Sequence, residues 1–297
     1  MPPPVITLIT DFGLADEFVG VMKGVILSLC PNAQIVDISH QIEPQDVFQA
    51  ALTLEAAYPY FPKGSIHVVV VDPGVGSDRR ILAVAAGGYF FLGPDNGVLW
   101  PAVADADVDT MVSVTESAFF LTPVSTTFHG RDIFAPVAAH LANGVSISLF
   151  GPPIKPEGIR HLEISMPVCE NDHTLTGCVV GVDRFGNLIT NIRRVDLEGI
   201  SAGRSWQDLR VKIKKCRITG LSESYLNARQ GALLALFSSR DLLEIALCGG
   251  NAAQYLNAKK KDPIKVLFPK NLVARSSNKN PPGEESGRRG SRLRKVR

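Results

Sequence analysis

Ile66-His67-Val68-Val69-Val70-Val71-Asp72 decides how the rest of the chain is read. Ile66–Val71 reads as one apolar, largely β-branched run, with neither a helical period nor the alternation of a half-exposed strand. It suits a strand buried on both faces, which requires helices on either side of its sheet. Upstream, Val5–Thr10 is another short β-rich run, broken by Asp11-Phe12-Gly13. Phe18, Met22, Val25, Ile26 and Leu29 fall on one face of a helix predicted over about 16–30 and stopped by Pro31-Asn32. Gln34–Ile38 reads as a strand, and a second helix runs from about Pro44 to Tyr58. Downstream, Ile81–Ala86 and Tyr89–Leu92 are neighbouring strands joined by Gly87-Gly88. A helix from about Asp132 to Ala142 ends at Asn143-Gly144. The pattern predicts an N-terminal α/β domain over residues 1–150 with a central, largely parallel sheet.

Pro152, Pro153, Pro156, Gly158 and Pro167 mark residues 151–170 as a linker. Beyond it the period changes. Val179–Val182, Leu188–Asn191, Leu209–Ile213, Leu233–Phe237 and Leu242–Leu247 are short strands with little helix between them, predicting a smaller, mostly antiparallel β domain over 171–269. Residues 270–297 are poor in apolar side chains and rich in Ser, Gly, Pro and Arg, the composition of a disordered tail.

The chain has 297 residues, 45% hydrophobic and 20% charged, which excludes wholesale disorder and disulfide-stapled miniproteins. Its net charge of +2 conceals an asymmetry. The tail carries nine Lys/Arg against Glu284 and Glu285, so the remaining residues are mildly acidic and give no argument for nucleic-acid binding. Cys30, Cys169, Cys178, Cys216 and Cys248 are scattered and contain no C-x-x-C pair. A zinc cage or disulfide framework is not expected, and a reducing, cytoplasmic compartment fits. The N-terminus lacks the regions of a signal peptide, and the longest apolar runs are strand-sized, so no membrane partner is expected.

No Rossmann glycine fingerprint or Walker A loop occurs; the nearest cluster, Asp72-Pro73-Gly74-Val75-Gly76, lacks the third Gly and the Lys. Asp11 and Asp72 each follow a strand of the predicted sheet, where ligands of open α/β sheets bind. Either could equally be a turn or cap residue. Arg79 and Arg80 follow Asp72 across a loop loosened by Gly74 and Gly76, so a guanidinium can fold back onto the carboxylate. His129, in Thr127-Phe128-His129-Gly130-Arg131-Asp132, precedes a helix whose positive end favours the neutral imidazole. His40, His67, His140, His161 and His173 read as surface or internally satisfied residues. In the second half, Asp183-Arg184-Phe185-Gly186-Asn187 and Ser238-Ser239-Arg240-Asp241 read first as turns, and Gly249-Gly250-Asn251 as a backbone contact or a helix start.

Taken together, Thr10-Asp11-Phe12-Gly13, Asp37-Ile38-Ser39-His40, Val71–Gly76, Gly93-Pro94-Asp95-Asn96-Gly97, Phe128–Asp132 and Asp183–Asn187 are far more specific than any one of them. In this order the chain resembles the S-adenosyl-L-methionine (SAM) hydroxide adenosyltransferases, adenosine-forming SAM hydrolases related to the fluorinase and chlorinase, from about residue 5 to about residue 268. The resemblance implies an α/β N-terminal domain, a β-barrel-like C-terminal domain, and a homotrimer with active sites between subunits. It implies conversion of SAM and water to adenosine and L-methionine with no cofactor and no metal. By position it assigns Asp72, Arg79 and His129 to the nucleophilic water, with Arg80 a rival for the Arg role. Asp11 matches the ribose-diol carboxylate, and Asp16 and Asp183 lie where the methionine ammonium is held. Ser239 and Arg240 match the methionine carboxylate grip, and Asn187, Phe185 and Tyr225 the adenine contacts. Asp72, His129 and Gly130 stand where halogenases surround their halide, and the turn near Ala86–Tyr89 lacks the fluorinase insertion. Leu247 replaces a fluorinase Arg. Two other functions remain open on the sequence: a halide-dependent SAM lyase, and a SAM or adenosine binding protein without turnover.

Overall fold

The computed structural model describes residues 2–163 and 166–269; the predicted disordered tail lies outside the described residues. The chain divides into two compact units, with the boundary between Met166 and Pro167.

The first unit contains β1 (Val5–Thr10), α1 (Phe18–Leu29), β2 (Gln34–Ser39), α2 (Val47–Ala57), β3 (Ile66–Val70), β4 (Ile81–Ala86), β5 (Tyr89–Pro94), α3 (Trp100–Val103) and β6 (Val108–Ser113). A π-helical turn, Gly130–Phe134, leads into α4 (Ala135–Ala142). The strand order is β2-β1-β3-β5-β4-β6. Pairing is parallel from β2 through β1 and β3 to β5, and antiparallel where β4 joins β5 and β6. The predicted α/β layering with a largely parallel sheet is present.

The valine run behaves as its composition requires. Val68 and Val70 pack with Met22, Ile26, Phe134 and Val137 on one face, while Val69 and Val71 pack with Ala50, Leu54 and Phe91 on the other. Each fully buried Val contributes about 1.5–3 kcal/mol relative to exposure, so β3 anchors both layers. Asp46 caps α2 by accepting from the Gln49 amide at 2.8 Å. By contrast, α1 begins after Glu17 with no side-chain cap, so neither Asp11 nor Asp16 serves as one. The proline-rich stretch is tied to this unit: the Ser113 amide donates to the Pro152 carbonyl at 2.9 Å, and the Arg160 amide to Asp95 Oδ1 at 2.8 Å.

His67, on β3, is fully buried and surrounded by Tyr58, Phe61, Tyr89 and Phe91. Its Nδ1 lies 2.8 Å from Thr7 Oγ1 and its Nε2 has no hydrogen-bond partner among the described residues. Burial pushes its pKa down to about 4 from the ordinary 6.5. Between those pH values the unfolded chain takes up a proton that the native imidazole refuses. This contribution to stability is complete above pH 6.5 and is lost as pH falls toward 4, by up to about 3 kcal/mol. Urea unfolding at pH 7 and pH 4.5 should show the loss, and a His67→Leu/Thr7→Val double variant should flatten it. An unchanged pH slope in that variant would place the acid sensitivity elsewhere.

The second unit contains β7 (Val168–Asn171), β8 (Thr174–Val182), β9 (Leu188–Arg193), α5 (Arg194–Ser201), β10 (Arg210–Ile213), β11 (Cys216–Thr219), β12 (Leu233–Phe237), β13 (Leu242–Leu247), α6 (Ala252–Leu256) and β14 (Pro263–Leu267). Its strands run β11-β10-β14-β8-β9-β13-β12, with β7 added to β8, and every pairing is antiparallel. The end strands β11 and β12 return into contact, which makes the sheet barrel-like. Its interior holds Val179, Leu188, Ile192, Val211, Ile245 and Val266. Gly249-Gly250-Asn251 resolves as a helix start, because Asn251 caps α6 by accepting from the Gln254 amide at 2.8 Å. No described helix is long and apolar enough to cross a membrane.

Candidate active site

A cavity of about 410 Å³ opens beyond the carboxyl ends of β1 and β3, lined by Asp11, Phe12, Phe18, Gln45, Asp72, Phe128, His129 and Gly130 among others. This is where an open α/β sheet offers its strand ends to a ligand. The rings of Phe12, Phe18 and Phe128 meet edge-on or tilted, with centroids 5.1–6.0 Å apart, and form an apolar wall.

The loop after β3 places the first charged pair. The Val75 amide donates to the Asp72 carbonyl at 3.2 Å, and the Gly74 amide to Asp72 Oδ1 at 3.2 Å. Gly76 has φ +78°, and a Cβ there would strike the Thr126 carbonyl, so only glycine lets this loop lie against the segment carrying His129. Arg79 folds back as the spacing suggested. Its Nε donates to Asp72 Oδ2 at 2.8 Å and Oδ1 at 3.0 Å, and its Nη2 also bonds Oδ2. The two side chains are 8% and 5% exposed, respectively. The same Nη2 lies 2.8 Å from His129 Nδ1. The sequence brings Asp72, Arg79 and His129 into one hydrogen-bonded chain.

Arg80, the adjacent candidate, is engaged elsewhere. Its Nε donates to Asp95 Oδ2 at 2.9 Å, and its Nη2 bonds the Gly158 carbonyl. The turn carrying Asp95 closes the base of the 72–80 loop at both ends. Asn96 Nδ2 donates to the Val71 carbonyl at 2.9 Å, and the Asp95 amide to the Arg80 carbonyl at 2.9 Å.

His129 stands at the head of the π-helical turn. The segment before it is braced by buried Asp132, whose Oδ2 accepts from the Ser125 amide at 2.8 Å and whose Oδ1 accepts from Arg131 Nε at 2.6 Å. Ser125 Oγ in turn accepts from the Phe128 amide at 2.9 Å. Burial, then the neighbouring Arg79 charge, holds the His129 pKa below the ordinary imidazole value, against the opposing pull of Asp72 and Asp132. The neutral form expected from sequence is favoured by desolvation and a guanidinium. A guanidinium only donates, so Nδ1 accepts and the neutral ring carries its proton on Nε2.

Asp11 lines the cavity and its Oδ2 accepts from the Gln45 amide at 2.8 Å. Gln45 is a cavity residue that the sequence did not disclose. It holds φ +66°, unusual for a side chain of its type and of the kind that collects at ligand sites. Asp16 is exposed in the turn before α1 and is not among the lining residues.

The other predicted residues lie in the second unit. Asp183 closes the β8–β9 turn: Oδ1 accepts from the Phe185 and Asn187 amides at 2.9 Å, and Oδ2 from Asn187 Nδ2 at 2.9 Å. Phe185 is 77% exposed, whereas Asn187 is buried. Ser239 and Arg240 are exposed in the β12–β13 turn. Tyr225, half-exposed, donates its hydroxyl to Glu244 Oε1 at 2.7 Å. Burial and that carboxylate push the tyrosine pKa up to about 12. Glu244 itself is raised by burial and by Asp183, against the lowering effect of Tyr225 and Arg240, so these four residues share one electrostatic neighbourhood. Glu244 was also missed from sequence. The signal was present: a single carboxylate inside the apolar run Leu242-Leu243-Glu244-Ile245-Ala246-Leu247.

A buried carboxylate–guanidinium–imidazole chain at the strand-end cleft of an α/β sheet, beside a second carboxylate, defines an enzyme of small polar molecules. Residues 6–151 match the family model of the SAM hydroxide adenosyltransferase N-terminal domain, and residues 177–265 that of its C-terminal domain. The chain belongs to the SAM hydroxide adenosyltransferase family. It is 38% identical over 264 residues to the (R)-S-adenosyl-L-methionine hydrolase of Salinispora arenicola, covering 89% of this chain and 97% of the relative. The fluorinase of Nocardia brasiliensis is 28% identical, with 89% and 96% covered. A crystal structure of an uncharacterized conserved protein from Thermotoga maritima superposes with a TM-score of 0.81 at 35% identity, covering 89% of this chain and 99% of that one.

Proposed function

We propose that this protein hydrolyses SAM to adenosine and L-methionine, with water attacking ribose C5′ in line with the departing sulfur. The observation that carries this reading is the Asp72–Arg79–His129 chain at the cavity, in a protein 38% identical to a named SAM hydrolase. The sulfonium leaves as a neutral thioether, so its departure needs no general acid and no metal. The task is to hold one water in line and exclude its competitors. Asp72 orients Arg79, which in turn fixes the His129 tautomer, and His129 Nε2–H and Arg79 hold the water. Each turnover consumes one water and releases one proton. Asp11 grips the ribose diol, since a carboxylate accepts from two neighbouring hydroxyls. Asn187, Phe185 and Tyr225 contact adenine, Ser239 and Arg240 the methionine carboxylate, and Asp16 and Asp183 its ammonium. The bonds that Asp183 makes within its own turn leave it a directing charge more than a free acceptor.

Hydrolysis is favoured over halide transfer by likeness, since the named hydrolase of Salinispora arenicola is 38% identical to this chain and the fluorinase of Nocardia brasiliensis 28%. The (R) configuration named for the relatives extends to the substrate here. We also propose a homotrimer in which a neighbour's second unit completes each cleft, and a reducing cytoplasmic setting, consistent with five free cysteines.

The test is incubation with SAM epimers in halide-free buffer, with chromatographic measurement of both products. Equal amounts of adenosine and methionine from the (R) epimer are expected. Bound nucleoside without product, or product only with added halide, would overturn the reading. Light scattering should give a mass of about three 32.0 kDa chains.

A further inference from the structure

Asp37-Ile38-Ser39-His40 has no part in the chemistry above, yet it builds a network that is buried at His40 and Thr10 and partly exposed at Asp37 and Lys23. His40 is 3% exposed and Thr10 fully buried. His40 Nδ1 lies 2.9 Å from Thr10 Oγ1. Its Nε2 lies 3.0 Å from Asp37 Oδ1, close enough for an ion pair though off the line of a good hydrogen bond, and it has no other partner among the described residues. Asp37 Oδ2 accepts from Lys23 Nζ of α1 at 2.5 Å. Burial raises the Asp37 pKa, but Lys23 and His40 outweigh it and hold the carboxyl below its ordinary value. Beyond Thr10, Oγ1 accepts from the Phe12 amide at 3.3 Å, and the His40 carbonyl accepts from the Gly13 amide at 2.7 Å. Lys23, Asp37, His40 and Thr10 therefore form one chain that grips both sides of Asp11.

A carboxylate–imidazole–hydroxyl series invites comparison with a nucleophilic triad. Thr10 cannot act as one, because its side chain is inaccessible and its hydroxyl is already bonded on both sides. When the imidazole is neutral the bonds converge on Asp37: the Phe12 amide donates to Thr10 Oγ1, the Thr10 hydroxyl to Nδ1, Nε2–H faces Asp37, and Lys23 donates to Asp37 from the other side. A fixed polarity of this kind locks side-chain rotamers and, through them, the Thr10–Gly13 backbone.

We infer that His40 is a positioning residue that sets the Asp11 carboxylate and thereby the discrimination between ribose and deoxyribose substrates. The inference rests on the reading of Asp11 as the diol acceptor. One carboxylate receiving two adjacent hydroxyls tolerates little displacement, and the Gln45 amide constrains only Oδ2.

The test compares kcat/KM for SAM and its 2′-deoxyribo analogue in the full-length protein. The wild type should prefer SAM by about a hundredfold, the loss of one hydrogen bond to a charged group. Asp11→Ala should bring the ratio near one. Thr10→Val, which keeps the buried shape, and His40→Ala should compress the ratio below about tenfold, mainly through KM for SAM, with kcat within about threefold. Thr10→Ser and His40→Asn should restore most of it. If Asp11→Ala abolishes the preference while Thr10→Val and His40→Ala keep it, the network is only structural and the inference is wrong. If Asp11→Ala itself keeps the preference, the diol reading fails and the inference falls with it. Should His40→Ala not fold, the Thr10 pair decides.

Discussion

Asp72→Ala should lower adenosine formation by about a thousandfold or more, while SAM affinity changes by less than about tenfold. The side chains of Asp72 and Arg79 are 5% and 8% exposed. Removing the carboxylate strands a nearly desolvated cation and releases it from His129, and breaking a buried pair of this kind costs about 3–5 kcal/mol of stability. Asp72→Asn, which keeps the volume and one acceptor but not the charge, should lose less stability than the alanine variant and still lose about a hundredfold in kcat. Steady-state kinetics with calorimetric SAM binding measures both, and an Asn variant turning over within a few-fold of wild type would remove Asp72 from the machinery.

The second large effect concerns His129. His129→Ala should cost about 10²–10⁴ in kcat with little change in affinity. The pH dependence follows from the direction of its shift. Burial and Arg79 depress the pKa, so the functional neutral ring persists as pH falls through the ordinary imidazole range. Wild-type kcat should stay level from pH 8 to below 6.5 and decline only at more acid pH. The alanine variant should lack that acid limb. An NMR titration of the ring in Arg79→Met should show the pKa moving upward, because a cation has been removed. A limb centred above pH 6.5 in the wild type would contradict this account.

The layered first unit was legible because Val68–Val71 has no half-exposed alternative and both of its faces proved to be covered. Strands that break their own pattern were not legible. β14 starts at Pro263 and carries Lys265, and most of β8 went unread ahead of Val179 because Gly177 interrupts it. In the site, Asp72 and Arg79 could be paired from spacing, since two glycines let the loop fold back. The choice between Arg79 and Arg80 could not, because it depends on Asp95, which the fold brings from the neighbouring β5 turn. Gln45 announces itself through a backbone angle, a quantity no residue name carries.

The turn at Asp95-Asn96 closes the 72–80 loop at its base through the Val71 and Arg80 carbonyls. Those two bonds hold the ends of the loop to the sheet, so substitutions inside it are expected to leave the register of β3 and β5 unchanged, except at Gly76, where a side chain would strike the Thr126 carbonyl. An engineer wishing to reshape the loop would work between its ends and leave Gly76, Asp95 and Asn96 alone.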